Sequence, residues 1–153
     1  MSVLDKLQEM GLQLPAVAKP VAAYVPAVRA GNLVYTSGQI PMVEGKLKYT
    51  GRLGKDVSLE DGYDAARICC LNALAAVRSL VGELDNVKRV VKLTGWVACT
   101  EDFTDQPKVM NGASELVANL FGDAGLHARA AVGTNALPLG SAVEVEMIVE
   151  VKA

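Results

Sequence analysis

Apolar and polar residues alternate most regularly near the C-terminal end of the chain, between residues 142 and 151. One side of this segment carries Val143, Val145, Met147, Val149 and Val151, and the other carries Glu144, Glu146 and Glu150. A period of two places successive side chains on opposite faces of a strand. The segment is therefore predicted to be a strand with one face in the core.

Four further segments are predicted to be strands, at residues 24–30, 33–37, 87–99 and 130–136. Gly31 and Asn32 form a turn signal between the first two, which predicts a hairpin. The glycines of residues 42–54 indicate an irregular region or a short hairpin. A turn is predicted at residues 137–140, before the last strand.

The segment at 87–99 is rich in β-branched residues, which favour strands. The alternation assigns Val91, Leu93 and Val97 to one face and Lys92, Thr94 and Trp96 to the other.

The clearest helix is predicted to run from Ser58 to about Leu80. Ser58 can cap it, and Asp61 three residues later completes a capping-box pattern. Gly82 follows the end of the helix. One apolar stripe at helical spacing contains Tyr63, Ala66, Cys70, Leu74 and Val77.

A second helix is predicted after Thr104 or Asp105, either of which can cap it, with Pro107 in its first turn and Gly122 at its end. Its apolar stripe contains Met110, Ala113, Val117 and Leu120. A short amphipathic helix is predicted at residues 4–10.

Strand pairs separated by two helices predict an α+β fold with a mostly antiparallel sheet and both helices on one face. The other face is left without a cover. Ile148, Val25, Val34 and Trp96 are expected to add apolar area there. Self-association is the simplest way to cover such a face.

The 153 residues suit a single domain spanning the whole chain, with 51% hydrophobic and 21% charged residues. The net charge is −2 and no basic run is present, so binding to nucleic acid is not expected. No segment approaches the length of a membrane span, so no membrane partner is expected. Three cysteines without a metal-binding spacing indicate core residues in a cytoplasmic protein and no metal site.

Arg129 lies where a polar loop enters an apolar strand. Its guanidinium could bind a carboxylate through two parallel charge-assisted bonds. Pairing of two strands across the turn at 137–140 would bring Glu144 close to it. The alternatives are a surface arginine paired with a local acid, and a glutamate in a solvent-facing row.

Motifs for other chemistries are absent from the sequence. Neither a dinucleotide-binding nor a phosphate-binding glycine loop occurs, so no cofactor is expected. His127 is the only histidine, and no nucleophile-elbow motif accompanies it, so a surface or structural role is favoured over an acid–base role.

Four segments together resemble one known family. They are YVPAV with GNLVYTSGQIP at 24–41, SLED with its alanine-rich helix from 58, the strand at 90–99 with Asp102, Phe103 and Asn111, and ARAAV, LP and VEVE between 128 and 146. By these motifs the chain resembles the reactive-intermediate deaminase (Rid, or YjgF-like) family from about residue 18 to residue 151. Residues 1–17 form an N-terminal extension.

The resemblance implies a bacillus-type chorismate-mutase-like fold and a homotrimer with ligand clefts between subunits. It also implies an enzyme of the 2-iminobutanoate/2-iminopropanoate deaminase type. Such enzymes hydrolyse reactive enamines and imines, such as 2-aminoacrylate, to 2-keto acids and ammonia.

The resemblance assigns Arg129 to the substrate carboxylate and Glu144 to positioning or activating a water. Tyr24, Gly38, Asn111 and Ala131 are implied as substrate-binding residues, with a gap of about one residue at Asn111. His127 stands where many members have proline, and Ala131 where many have cysteine. These departures indicate a distinct branch.

Two other functions remain open from the sequence. One is a trimeric protein that binds a small carboxylate without converting it, and the other is a protein-interaction or chaperone-like role for the trimer surfaces.

Overall fold

The computed structural model describes residues 1–17 and 23–153. Its helices are α1 (Val3–Glu9), α2 (Leu59–Val81) and α3 (Gln106–Phe121). Its strands are β1 (Ala27–Ala30), β2 (Leu33–Thr36), β3 (Met42–Val43), β4 (Lys46–Leu47), β5 (Val87–Ala98), β6 (Ala128–Thr134) and β7 (Val143–Val151). Short 3₁₀ turns lie at Leu84–Asn86, Gly122–Gly125 and Pro138–Gly140.

The main sheet has five strands in the order β1-β2-β7-β5-β6. Among the strands given above, β5 and β6 are the one parallel pair, and helix α3 connects them. Helix α2 packs on β1, β2 and β7, and α3 packs on β5 and β6. The predicted α+β class and mostly antiparallel sheet with its two long helices on one face are confirmed.

The alternation along β7 is confirmed by burial. Its five apolar positions from Val143 to Val151 are buried under the helices, and the intervening glutamates and Ile148 are partly exposed on the other face. This face of the sheet, which none of the helices in the described ranges covers, is called the open face below.

The predicted alternation along β5 needs one correction near Val91. The register shifts between Val90 and Lys92, so that Val90 pairs with Val149 and Lys92 pairs with Ile148. Val90 is fully buried, whereas Val91 is only partly buried. A β-bulge inserts an extra residue and reverses the inside–outside alternation before it, which periodicity alone does not reveal.

A second correction concerns the open face. Val34 is fully buried because it pairs with Val149 on the helix side of the sheet. Tyr35 takes the open side instead and is 43% exposed. Val28 and Val132 also expose apolar side chains on this face, beside the partly exposed Trp96.

Helix ends follow the predicted signals closely. The Ser58 hydroxyl accepts a hydrogen bond from the Asp61 backbone N–H at 3.1 Å, and Gly82 ends α2 with φ 84°. Asp105 occupies the cap position of α3 without a side-chain cap bond, and Gly122 ends that helix. The short N-terminal helix begins at a capping box that was not predicted, formed by Ser2 and Asp5.

The predicted strand at 24–30 begins only at Ala27. Pro26 has no backbone N–H to donate, and its carbonyl accepts from Ser37 N–H at 2.8 Å. The three cysteines are buried and free, as core residues should be. Among residues 1–17 and 23–153, the helices are too short or too polar to cross a membrane.

Candidate functional site

Arg129 lies on β6, the edge strand of the main sheet, beneath helix α3. It pairs with Leu93 of β5, and neighbouring residues in a parallel pair project to the same face, so its side chain lies on the helix side. Its Nη1 donates hydrogen bonds to Asn111 Oδ1 at 2.9 Å and to Ser114 Oγ at 3.2 Å. Both acceptors are on α3, so the helix orients the guanidinium.

The other edge of the Arg129 guanidinium has no partner in the described part of the chain. Nε and Nη2 make no hydrogen bond there, and no carboxylate lies within 4.0 Å of the group. The sequence-based alternative, an ion pair with a local acid, is therefore not found among these residues. The exposed edge presents two nearly parallel N–H donors and an uncompensated positive charge, which suits a planar carboxylate.

Asn111 and Ser114 are three residues apart on α3 and therefore share one face of the helix. Asn111 is one of the predicted site residues, and the structure brings it to Arg129. Ser114 was not predicted. Its spacing from Asn111 is the one signal in the sequence that could have indicated it.

Ser114 also meets His127, two residues before Arg129. Ser114 Oγ lies 2.9 Å from His127 Nε2, and His127 Nδ1 lies 2.7 Å from the carbonyl oxygen of Gly125. A carbonyl can only accept, so Nδ1 donates its proton to the Gly125 carbonyl and Nε2 is the ring atom that faces the Ser114 hydroxyl. The four groups form one chain of hydrogen bonds from Arg129 to Gly125.

Gly125 holds this chain in place because only glycine fits there. A Cβ at this position would lie 2.2 Å from the Val117 carbonyl oxygen and 3.0 Å from the Ala118 Cα on α3. The 3₁₀ turn Gly122–Gly125, which begins at the glycine predicted to end α3, therefore also packs its backbone against that helix. That packing brings the Gly125 carbonyl to His127.

The expectation that strand pairing brings Glu144 to Arg129 is wrong. Strands β6 and β7 are not neighbours, because β5 lies between them. Glu144 pairs with Trp96 on the open face, whereas Arg129 pairs with Leu93 on the helix side. With strands about 4.8 Å apart and a rise of about 3.3 Å per residue, their Cα atoms are about 14 Å apart.

Glu144 lies against the loop that contains Gly38. A Cβ at Gly38 would lie 2.9 Å from the Glu144 carboxyl carbon, and Gln39 exchanges backbone hydrogen bonds with Val145 at 2.8 and 3.0 Å. Burial raises the pKa of the Glu144 carboxyl, and the nearby charge of Glu146 raises it further. This carboxyl therefore holds a proton more readily than an exposed glutamate.

Tyr24 is 53% exposed and precedes Val25, whose carbonyl accepts from the Ser37 hydroxyl at 2.6 Å. Tyr24 therefore lies at the same end of the sheet as Gly38. Ala131 follows Arg129 by two residues on the same face of β6 and pairs with Gly95. The six predicted site residues thus form two groups, which are Arg129, Asn111 and Ala131 on one side and Glu144, Gly38 and Tyr24 on the other.

Other features of the molecule lie away from both groups. A cavity of about 620 Å³ lies between the N-terminal segment, the β3–β4 hairpin and α2, and none of the six residues lines it. Burial raises the pKa of the Cys70 thiol to about 12, which makes it a poor nucleophile. In the part of the chain that the structure describes, no three His, Cys, Asp or Glu residues are grouped to hold a metal ion.

Comparisons with known proteins agree on one family. Residues 5–151 match the family model described as "YjgF/chorismate mutase-like, putative endoribonuclease". The chain is 44% identical to protein TCP17 of Trypanosoma cruzi, covering 97% of this chain and 93% of that protein. It is 29% identical to the 2-iminobutanoate/2-iminopropanoate deaminase of Dermatophagoides farinae, covering 92% of this chain and 95% of that one.

The fold also matches a crystal structure of the Agrobacterium tumefaciens protein Atu1372, whose function is unknown. The TM-score is 0.92 with 44% identity, and the match covers 98% of this chain and 92% of that one. Because the match covers 98% of this chain, it includes nearly all of the N-terminal extension.

Proposed function

Since the chain belongs to the YjgF/chorismate mutase-like family and has that family's fold, we propose that it is an imine deaminase. It hydrolyses short 2-imino acids, and the enamines that tautomerise to them, to 2-keto acids and ammonia. The observation that carries the proposal is the Arg129 guanidinium, which α3 holds at Nη1, whereas its Nε–Nη2 edge has no partner among residues 1–17 and 23–153.

Arg129 binds the substrate through its carboxylate, which every 2-imino acid and 2-keto acid carries. Two parallel charge-assisted bonds fix the plane of the carboxylate and hence the direction of the neighbouring imine carbon. A positioned electrophile reacts with water far faster than one that tumbles freely. We expect backbone groups of Ala130 and Ala131, the next residues on the strand, to contact the substrate nitrogen.

The reaction exchanges an iminium for a carbonyl. Water adds to the carbon of R–C(=NH₂⁺)–COO⁻, and one proton moves from the oxygen to the nitrogen. The C–N bond then breaks to release NH₃, which takes up the second O–H proton to leave R–CO–COO⁻ and NH₄⁺. No electrons are exchanged with a redox group, so the proposal requires no cofactor. The substrate is already reactive, so orientation and proton transfer are the main contributions asked of the protein.

The complete site in this proposal lies between copies of the chain. Glu144, Gly38 and Tyr24 cannot join Arg129 within one chain, so a neighbouring subunit supplies them. The open face, with exposed Val28, Tyr35 and Val132, is the surface that subunits bury in a cyclic homotrimer. Burial of the open face would also exclude water from the Glu144 carboxyl.

The separation of Arg129 from Glu144 supports a second candidate function. If the chain does not assemble so that the two groups meet, the open guanidinium edge still binds a small carboxylate. The protein would then be a carboxylate-binding protein without turnover. Saturable binding of 2-ketobutyrate without ammonia release from any imine would identify that case.

The ribonuclease activity in the family description has less support here. RNA binding depends on clustered cations that neutralise phosphates, whereas this chain has a net charge of −2. The open face carries Glu144, Glu146 and Glu150. We therefore propose a small-molecule ligand and not RNA.

The location proposed for the protein is a reducing compartment such as the cytoplasm. Its three cysteines are free and buried, and reduced thiols of this kind are typical of proteins in that compartment.

The test generates 2-iminopropanoate and 2-iminobutanoate in situ with an amino-acid oxidase and traps the free imine with semicarbazide. The protein is expected to lower semicarbazone formation and to speed ammonia release. Arg129→Ala should abolish both effects, while Arg78→Ala, which removes a partly exposed arginine from the last turn of α2, should not. Equal rates for wild type and Arg129→Ala would overturn the proposal.

A further inference from the structure

We propose that the cavity beside the N-terminal extension is a second ligand site, which binds a small molecule with an apolar body and one carboxylate, such as a medium-chain fatty acid. The cavity has a volume of about 620 Å³, within the usual range for small-molecule sites. Arg129 does not line it, so this site is independent of the deaminase function proposed above. The family resemblance assigned none of the residues that line it.

Three segments of the chain build the walls of this cavity. They are residues 11–15 together with Gln8, the β3–β4 hairpin, and one side of α2. The α2 wall includes Asp64, Arg67, Ile68 and Leu71, and their spacing of three and four positions places them on the same side of the helix. The cavity is therefore a cleft between the extension and the body of the domain.

The N-terminal wall is fixed by contacts that need no ligand. The Val3 N–H donates to Asp85 Oδ1 at 3.2 Å, and Lys6 Nζ donates to the Leu120 carbonyl at 3.1 Å. These bonds join α1 to the turn after α2 and to the end of α3. After α1, Gly11 takes a left-handed φ of 73°, and the chain continues along the cavity.

The hairpin wall is fixed to α2 as well. The Asn72 side-chain amide donates to the carbonyl oxygens of Ile40 and Met42, at 3.2 and 3.1 Å. Asn72 is buried, so water does not compete for these bonds. Because both walls are held by the protein itself, a ligand does not have to order them, which lowers the cost of binding.

Most of the lining is apolar and still partly in contact with water. Leu12, Leu14, Pro15, Met42 and Ile68 line the cavity, and each of them is only partly buried. A ligand that covered these side chains would gain hydrophobic stabilisation in proportion to the area removed from water. Apolar side chains that converge on a cleft with a few polar groups are typical of small-molecule sites. The ligand therefore has an apolar body.

The polar part of the lining has a local excess of positive charge. Asp64 accepts hydrogen bonds from the Tyr49 hydroxyl and from Arg67 Nη2, each at 2.6 Å. It also accepts from Lys48 Nζ at 3.3 Å, so two cations share one carboxylate. Glu44 lines the cavity at the exposed turn of the hairpin, but it forms no ion pair with either cation. An anionic group is therefore favoured beside Lys48 and Arg67.

Arg67 has a donor available for such an anion. Its Nη2 is bonded to Asp64, whereas its Nη1 has no hydrogen-bond partner in the described part of the chain. The side chain is 39% exposed, so a ligand can approach the guanidinium. Nε is buried, also without a partner among residues 1–17 and 23–153, and a buried donor in that state is costly. A ligand carboxylate at Nη1 would add a charge-assisted bond to this incompletely paired group.

The first experiment measures the chemistry of the ligand by calorimetry, with hexanoate, octanoate and octylammonium as probes. Octanoate should bind saturably at one site per chain. Its Kd should be about fourfold or more below that of hexanoate, because two further methylenes are buried. Octylammonium has the same apolar body with the opposite charge and should not bind. Binding of octylammonium as tight as that of octanoate would overturn the charge argument.

The second experiment places the probe in the cavity by substitution. Arg67→Gln should raise the Kd of octanoate by about tenfold, whereas Arg67→Lys keeps the charge and should raise it by less. Ile68→Glu puts a negative charge in the apolar wall and should abolish binding. Arg78→Gln and Leu80→Glu make the same changes at α2 positions that do not line the cavity, and they should bind octanoate as wild type does. Equal Kd values for wild type and Arg67→Gln would overturn the proposal.

The site at Arg129 also attracts carboxylates, so the two sites must be separated. Arg129→Ala should bind octanoate with an unchanged Kd, and Arg67→Gln should bind 2-ketobutyrate as wild type does. Loss of octanoate binding in Arg129→Ala, together with its retention in Arg67→Gln, would show that the probe binds at Arg129 and that the second site is wrong.

Methionine methyl signals give a readout that does not depend on affinity. Met42 lines the cavity, whereas Met110 and Met147 are buried in the core. Octanoate should shift the ¹³C-methyl signal of Met42, which Met42→Leu identifies, and leave the other two in place. No saturable binding of octanoate, or saturable binding that leaves the Met42 signal unchanged, would overturn the proposal.

Discussion

Arg129 and Glu144 lie on strands that do not touch, because β5 runs between β6 and β7. Arg129 projects under α3 from the edge of the sheet, and Glu144 projects from its open face. A single chain therefore holds the anchoring cation and the acidic group on opposite sides of one sheet. A site that uses both must take them from two chains.

Mixed oligomers test whether Arg129 and Glu144 act from two different chains. Arg129→Ala and Glu144→Ala are each expected to be inactive alone. Refolded together at equal amounts, they should recover about a quarter of wild-type activity, since a cross-chain site needs one intact residue from each of two randomly chosen subunits. The control is a mixture of wild type with the double variant. Its activity is also about a quarter of the wild-type value if the site lies across chains, but about half of that value if each site lies within one chain. No recovery from the two single variants would show that the site does not join these residues across chains.

Asn111 places an uncharged amide oxygen against the Arg129 guanidinium. Asn111→Asp would place a carboxylate on Nη1, compensate the guanidinium and repel a bound anion, so the Kd for 2-ketobutyrate should rise by about tenfold or more. Asn111→Ala removes one of two hydrogen bonds and should raise the Kd only by about threefold. Asn119→Asp adds the same charge two turns later on α3 and is the control. The charge argument fails if Asn111→Asp and Asn119→Asp bind equally well.

Val132 tests the open face as a subunit interface. It is 45% exposed on β6, so Val132→Glu should leave a single chain folded but prevent its assembly, since an unpaired charge at an interface is costly. Light scattering should find a trimer for wild type and a monomer for the variant. Leu80→Glu, on the helix side, should remain trimeric. A wild-type monomer would contradict the proposed assembly.

Glu144 should make stability depend on pH. Burial raises its folded pKa above the ordinary value near 4.5, so the folded chain is destabilised as pH rises through the interval between the two values. Below that interval both states are protonated and the effect is absent. Glu144→Gln should therefore raise the melting temperature at pH 7 and leave it unchanged near pH 4. Glu150→Gln, which removes an exposed ion pair with Lys88, should give no gain at either pH.

Gly112 allows helices α2 and α3 to pack close together. A Cβ there would lie 2.0 Å from the Tyr63 carbonyl oxygen, a backbone atom that cannot rotate away. Gly112→Ala should lower the free energy of unfolding by about 2 kcal/mol or more. Gly31→Ala, in an open turn with φ 61°, should cost about 1 kcal/mol from backbone strain alone. Urea unfolding measures both, and equal losses would argue against the overlap.

The sequence by itself determined the elements whose causes are local. Alternation over the last strand identifies both faces of β7, and serine and glycine signals place the ends of α2. These features depend on side-chain periodicity and on hydrogen bonds between residues a few positions apart. The motifs also sufficed to indicate the family.

Tertiary structure decided which elements are neighbours. The turn at 137–140 suggested that β6 and β7 form a hairpin, but β7 instead pairs with β5 and β2, which places its apolar face under α2. Burial of that face against non-local partners outweighs the proximity of β6 along the chain. The β5 bulge at Val90 and the contact of Ser114 with His127 are likewise non-local. Both depend on how α3 and β5 pack against distant residues, and no period in the sequence encodes that.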